Sequence, residues 1–196
     1  VLTFSILGGT YITATLVDSQ VTFTSETNFN GSETFTVSVE DAEYTDSQII
    51  TVTVNAVNDA PVLEAVSDQN MNEGGTKVLL LSASDVDEDE LTYSITDGTN
   101  ILPSIDGSTV TFSVIDDDWN GSESFTATVE DAEYSESQTF TVTVDNVNDA
   151  PVLATVSDVL YDEDGTTTLD LSASDVDEDV LTFSILGGTY ITATLV

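Results

Sequence analysis

The chain is predicted to be all-β, a tandem series of seven-stranded, two-sheet β-sandwiches. Three observations predict this. Apolar and polar residues alternate with a period of two over 91–95, 110–114, 125–129 and 140–144, the pattern of strands with one face buried. No window carries a 3.6-residue period, so helix is not expected. The sequence also repeats itself: Pro61 returns as Pro151, Asp85 as Asp175 and Asn30-Gly31-Ser32 as Asn120-Gly121-Ser122, each 90 residues on.

A longer period is superimposed, because residues 1–17 reappear letter for letter as 180–196, 179 residues on. One residue fewer separates Leu2 from Asn28 than separates the matching positions of the second copy. The expected organisation is a window on a tandem array arranged as a linear rod. Residues 1–60 form the C-terminal part of a repeat, strands C to G. Residues 61–150 form a complete repeat, and 151–196 the N-terminal part of the next, strands A to C and beyond.

Within 61–150 the reading is strand A near 62–71, B 76–84, C 90–96, a short D 101–105, E 108–115, F 123–130 and G 137–146. Threonine and β-branched residues fit a pleated, half-buried surface. Gly74-Gly75, Asp106-Gly107 and Asn120-Gly121 supply turns. The expected core holds Leu79, Leu81, Leu91, Tyr93, Ile95, Val110, Phe112, Phe125, Val129, Phe140, Val142 and Val144, with Trp119 plugging one end.

Composition narrows the function. There are 37 acidic residues, one basic residue (Lys77), no histidine and no cysteine among 196, a net charge of −36. A hydrophobic fraction of 40% is enough to build cores, so the charge does not signal a disordered acidic tail. Internal salt bridges cannot balance it, and close carboxylates must find counterions, raised pKa values or metal. Nucleic acid is excluded as a partner, since phosphate binding needs Lys and Arg. No apolar run is long enough for membrane insertion. Without His, Cys or Arg no nucleophile–base pair or phosphate cradle can be assembled. Paired carboxylates can hydrolyse glycosides, but these acids fall at domain poles rather than in a cleft, and no enzyme activity is expected. Asn30-Gly-Ser and Asn120-Gly-Ser read as turns before they read as glycosylation sites.

Strand parity sorts the acids. Asp85, Asp87 and Asp89 follow strand B, and Asp131 and Glu133 follow F, so all lie at the pole where the linker 55–61 enters. Glu73 follows A and Asp116-Asp117-Asp118 follow E, at the pole where the linker 145–151 leaves. Calcium fits such sites: it takes 6–8 oxygen ligands and needs neither His nor Cys, whereas magnesium demands tighter octahedral geometry.

These residues also carry a family resemblance. Asn-Asp-Ala-Pro at 58–61 and 148–151 resembles the linker of cadherins, and Ser-Asp-Val-Asp at 84–87 and 174–177 their Asp-x-Asp loop. Asp131 resembles the acidic position after strand F, and Glu73 the glutamate ending strand A. The chain thus resembles the cadherin-like, Ig-like Greek-key tandem repeats of large bacterial surface proteins and adhesins. That resemblance implies Ca2+ ligation by Asn58, Asp59, Asp85, Asp87 and Asp131 at the first junction. At the second it implies Glu73, Asn146, Asn148, Asp149, Asp175 and Asp177, with Asp118 nearest by count to the family's glutamate before strand F. The linker's leading aspartate is replaced by Ala56 in one copy and Asn146 in the other. One or two ions are expected at the first junction and up to three at the second.

The expected role is structural: a calcium-rigidified stalk of a secreted adhesin or surface fibre, extracellular or at the cell surface. Its partners would be neighbouring repeats or copies of itself, and other cells or surfaces through regions outside this stretch. One alternative is an adhesion module binding carbohydrate or protein, which needs an exposed aromatic or apolar patch. Another is a filament of subunits joined by strand complementation.

Overall fold

The computed structural model describes residues 1–195, and every regular element in it is a strand. The chain forms two compact units. One comprises Val1–Glu64, Ser82–Tyr93 and Thr128–Ser137, the other Ala65–Leu81, Ser94–Ala127 and the chain from Gln138 onward.

In the first unit, β1 (Thr3–Gly8), β4 (Gly31–Glu40) and β5 (Thr45–Val54) form an antiparallel sheet in the order β1-β4-β5. Strands β2 (Ile12–Val17) and β3 (Gln20–Ser25) make a separate hairpin, in register from Ile12↔Ser25 to Val17↔Gln20. Period-two alternation sends Phe35 into the core, where Phe23 meets it edge-on at 5.2 Å. A short ladder joins β6 (Val62–Leu63) to β9 (Ala83–Ser84).

The sandwich of residues 69–145, most of it in the second unit, is built on β7 (Gln69–Asn72), β8 (Thr76–Leu80), β10 (Thr92–Ile95), β11 (Ile101–Asp106), β12 (Thr109–Val114), β13 (Gly121–Glu130) and β14 (Ser135–Asp145). Their pairings are β11-β12-β8 in one sheet and β10-β13-β14-β7 in the other, with β7 parallel to β14. Two sheets whose inward residues alternate with outward polar ones make the sandwich. Val110, Phe112, Phe125, Ala127 and Val142 are wholly buried in it. Phe112 packs edge-on to Phe125 at 5.1 Å and to Phe140 at 6.1 Å. On the outer face, hydroxyls pair across β13 and β14, Ser122 with Thr143 and Thr128 with Ser137.

Several sequence expectations need correction. Strand A is two short pieces, β6 and β7; at the end of β6 the Leu63 amide donates to the Glu136 side chain, and between the pieces the Val66 amide donates to the Gln138 side chain instead of to a ladder. Strand B is likewise two pieces, broken where the Leu81 amide donates to the Ser108 carbonyl. Leu79, Leu91, Tyr93 and Ile95 are half-buried, not buried, since β8 and β10 are edge strands and Leu91 immediately precedes one. Leu63, Met71, Ile101 and Ala127 join the core unanticipated. Trp119 is half-buried against Gly121. A Cβ at Gly121 would stand 2.7 Å from the indole, so this close approach requires glycine.

Among the described residues from 151 onward the only pairing is β15 (Val152–Leu153) with β16 (Ala173–Ser174). The strand C expected after 179 does not form. Strand C pairs with strand F in the other copies, and no such partner stands beside this one among the described residues.

Candidate metal centres

Two constellations of oxygen donors are built to one plan, 90 residues apart. In each, an Asn-Asp pair meets an Asp-x-Asp-x-Asp loop. The Asn58 side-chain amide donates to the Asp59 carbonyl at 3.1 Å, and Asn148 does the same to Asp149 at 2.7 Å. The Asp59 amide donates to Asp87 Oδ2 at 2.8 Å, and the Asp149 amide to Asp177 Oδ2 at 2.6 Å. Within each loop the first aspartate accepts from the third and fifth residues: Asp85 from Asp87 and Asp89, Asp175 from Asp177 and Asp179. This is an Asx turn, the local bonding short polar side chains favour where no regular ladder competes.

In the first constellation Asn58 also donates to Asp131 Oδ2 at 3.1 Å. Asp131 is held by the Glu133 and Tyr134 amides, each 2.6 Å from its Oδ1. Oxygens of Asp85, Asp87 and Asp89 lie within 4.8 Å of one another. The Oδ2 atom of Asp85 is buried and accepts no hydrogen bond. An ionised oxygen withdrawn from water without a partner is costly, and a cation is the partner that would remove the cost. In the second constellation Glu73, Asp149 and Asp177, all half-buried, bring oxygens within the same 4.8 Å. Glu73 also accepts the Val147 amide.

Of the residues expected from sequence, the structure gathers Asn58, Asp59, Asp85, Asp87 and Asp131 in the first constellation. It gathers Glu73, Asn148, Asp149, Asp175 and Asp177 in the second. Asp118 stands close enough for its charge to act on Asp149. Asn146 is exposed, and its side-chain Oδ1 accepts from the Asn120 side-chain amide at 2.9 Å. Asp89, which the resemblance does not count as a ligand, belongs with Asp85 and Asp87; its Asp-x-Asp-x-Asp spacing is the signal for it.

Not every acid is of this kind. Glu33 accepts the Thr10, Tyr11 and Ile12 amides at 2.8–3.0 Å. Glu123 accepts those of Thr99, Asn100 and Ile101 at 2.8–3.2 Å. Each fastens the loop between two strands with its charge already satisfied.

The pKa directions follow the local donors and charges. Donation by the Tyr11 amide leads in holding Glu33 below the ordinary value, and the Tyr134 and Glu133 amides hold Asp131 down. Asp41 is lowered by the Glu43 and Tyr44 amides. Partial burial works to raise Glu123, but its amide donors outweigh it and the net direction is down. Asp89 is raised, first by withdrawal from water, then by the charges of Asp85, Asp87 and Asp131. Asp149 is raised by withdrawal from water and then by Asp118, Asp177, Glu73 and Asp175.

The linkage signs follow. A carboxyl raised in the folded state binds its proton there before the unfolded chain does, so stability grows as pH falls through the raised value. The lowered groups contribute stability above the unfolded value of about 4, lost as pH falls further. Metal-stripped protein should therefore be most stable in mildly acidic solution, between neutrality and about pH 4. Melting temperatures in EDTA across that range will check this; a steady decline from neutrality downward would contradict it.

The donor set fits calcium. Every candidate ligand is an oxygen, no His or Cys exists to favour zinc, and Asp85 Oδ2 is a buried oxygen without a hydrogen-bond partner.

The strand pairings define an all-β protein that contains a two-sheet β-sandwich. Residues 58–145 match the family model of the bacterial Ig domain. Among solved structures the chain is similar to EC1-2 of human mucin-like protocadherin, at 17% identity, 72% of this chain, 83% of that chain and a TM-score of 0.49. It is similar also to EC1-2 of human protocadherin-24, at 21% identity, 61% of this chain, 62% of that one and a TM-score of 0.43. An endo-fucoidan hydrolase of glycoside hydrolase family 107 aligns at 20% identity over 73% of this chain, with a TM-score of 0.34. The chain spans 23% of the length of that hydrolase. No curated protein matches the chain. No helix is long and apolar enough to cross a membrane among the described residues.

Proposed function

We propose that this chain is a non-catalytic, calcium-stiffened repeat segment of an extracellular or cell-surface fibre or adhesin. In this reading 61–150 is a complete repeat, 1–60 and 151–196 belong to its neighbours, and the partners along the fibre are repeats of the same kind. The observation that carries it is the doubled constellation, with a buried, unpartnered Asp85 oxygen in one copy and three converging carboxylates in the other.

Asp85, Asp87, Asp89, Asp131, Asn58 and Asp59 would hold calcium at the first junction. Glu73, Asp149, Asp175, Asp177, Asn148 and Asp118 would hold it at the second. Bound calcium supplies positive charge among groups that otherwise repel. The chain's own residues do the rest. Asp59 and Asp149 use their amides to fix one oxygen of Asp87 and Asp177, while Asn58 ties the linker to Asp131. The linkers are thereby bound to the loops flanking them, and a linker so bound loses its freedom to swivel.

Extracellular calcium modules bind with dissociation constants of about 10⁻⁴–10⁻³ M. Calorimetric titration of chelator-treated protein should show saturable calcium binding in that range, with magnesium much weaker. Heat indistinguishable from dilution, or equal response to magnesium, would reject the reading.

A further inference from the structure

The β11-β12-β8 sheet is poor in the charge that dominates the rest of the chain. Among the residues of its three strands only Lys77 and Asp106 are charged. Its outward face carries Val78, Leu80 and Leu102, 60%, 68% and 46% exposed, beside Thr111, Thr109 and Ser113 of the central strand. Short, β-prone segments with little charge are the ones that recruit a further strand at an open edge. Both outer strands are open: among the described residues nothing pairs with the far side of β8 or of β11.

Each open edge carries one residue that resists such pairing, and the two stand in a single cross-strand row. Pro103 is opposite Phe112, and Phe112 is opposite Lys77. Phe112 is wholly buried, so the row points into the sandwich, where Pro103 and Lys77 are half-buried. β11 continues through Pro103 without a break, which a proline permits only when its nitrogen faces away from the neighbouring strand. That nitrogen has no hydrogen to give, so a strand laid along β11 would bring an acceptor to a position with no donor. An inward lysine on an edge strand reaches water past that edge. A strand laid along β8 would close this exit and shut the ammonium into an apolar interior beside Phe112.

The same positions differ in the neighbouring repeats. Thr167, Thr168 and Asp170 stand 90 residues on from Lys77, Val78 and Leu80. Thr13 and Ala14 are the counterparts of Leu102 and Pro103, and Ala14 lies opposite Phe23 as Pro103 lies opposite Phe112. Lysine and proline thus occur at these edge positions only where the outward neighbours are apolar. We infer that Lys77 and Pro103 bar the two edges of the β11-β12-β8 sheet against a further strand, that of the same sheet in another copy of the chain. Removing either would let main-chain hydrogen bonds form along the freed edge, with Val78, Leu80 and Leu102 adding apolar contact. Neither calcium nor the role of the repeat in a fibre enters into this barrier.

Sedimentation velocity of the intact chain is the test, with wild type as the reference in about 0.15 M salt, where charge is screened over about 8 Å. Lys77→Val frees β8 and Pro103→Val frees β11. Each single variant should associate at about tenfold lower concentration than wild type, the equivalent of one main-chain hydrogen bond gained. Two freed edges of one kind pair antiparallel and close on themselves, so each single variant should gain a dimer. The double variant, free at both edges, should gain an open-ended series. Hydrogen exchange should slow at 76–80 in associated Lys77→Val protein and at 101–106 in associated Pro103→Val protein. Thr111→Val adds an apolar residue to the same face but on the central strand, and should sediment as wild type does. A double variant that sediments as wild type, association of Thr111→Val to the same degree as the edge variants, or association with loss of the wild-type urea transition would each overturn the inference.

Discussion

Phe125→Ala should lower the free energy of unfolding by about 3–5 kcal/mol, the range for deleting a buried aromatic side chain. The ring is wholly buried, with Phe112 at 5.1 Å and Phe140 at 6.3 Å. Its removal would leave a void that two strand-anchored phenylalanines cannot fill without leaving their rotamers. Aromatic pairing adds about 0.5–1.5 kcal/mol beyond area burial, and here two partners are lost. Phe35→Ala at the matching position, 1% exposed, should cost less. Its ring meets Phe23 at 5.2 Å, but Val37, Val39 and Ile50 around it are only half-buried, so the site can relax and admit water. Chemical denaturation of both variants measures the two costs, and equal losses would contradict the graded packing of the two repeats.

Strands E, F and G were legible within two residues, because each alternates strictly and each is flanked by its partners. The limit of such reading is shown by two identical stretches. Residues 1–8 and 180–187 have the same letters, yet 3–8 form β1 while 182–187 form no strand. β1 lies against β4 from Thr3↔Glu40 to Gly8↔Phe35, whereas the later copy has no such neighbour among the described residues. Propensity made both stretches capable of extension; pairing decided which one extended. The break in strand A has a related cause. Nothing local in 64–68 announces that the Leu63 and Val66 amides will be taken by side chains more than 70 residues away.

The acidic constellations were legible because repetition placed Asn58-Asp59 and 85–87 in the same relation twice. What sequence did not yield is the division of labour among acids. Glu33 and Glu123 look like any strand-surface glutamate. Their role emerges only when the loops at 10–12 and 99–101 fold back with three amides each. The available signal was the repeated Asn-Gly-Ser-Glu at 30–33 and 120–123, which puts a carboxylate at a fixed distance past a turn.

Asp87→Ala is the substitution expected to separate folding from metal binding most sharply. Asp87 does two things: its Oδ2 accepts the Asp59 amide at 2.8 Å, and its carboxylate converges with those of Asp85 and Asp89. Alanine removes both the acceptor and a charge that raises Asp89. Without metal these losses oppose each other, so the melting temperature at neutral pH should move little. With calcium at about 100 times its dissociation constant, a single site contributes roughly 2.7 kcal/mol. The first junction's share of that stabilisation should disappear. Asp87→Asn sharpens the distinction, because an amide oxygen can still accept from Asp59 while the charge is gone. Asn should keep metal-free stability and still lose the calcium response. Asp177→Ala should have the same effect at the second constellation, where Glu73 and Asp149 remain. Each single variant should therefore retain part of the calcium-dependent shift, and the double variant almost none. If Asp87→Asn responds to calcium as fully as wild type, the oxygens around Asp85 are an Asx-turn network and nothing more, and the stiffening must be sought elsewhere in the chain.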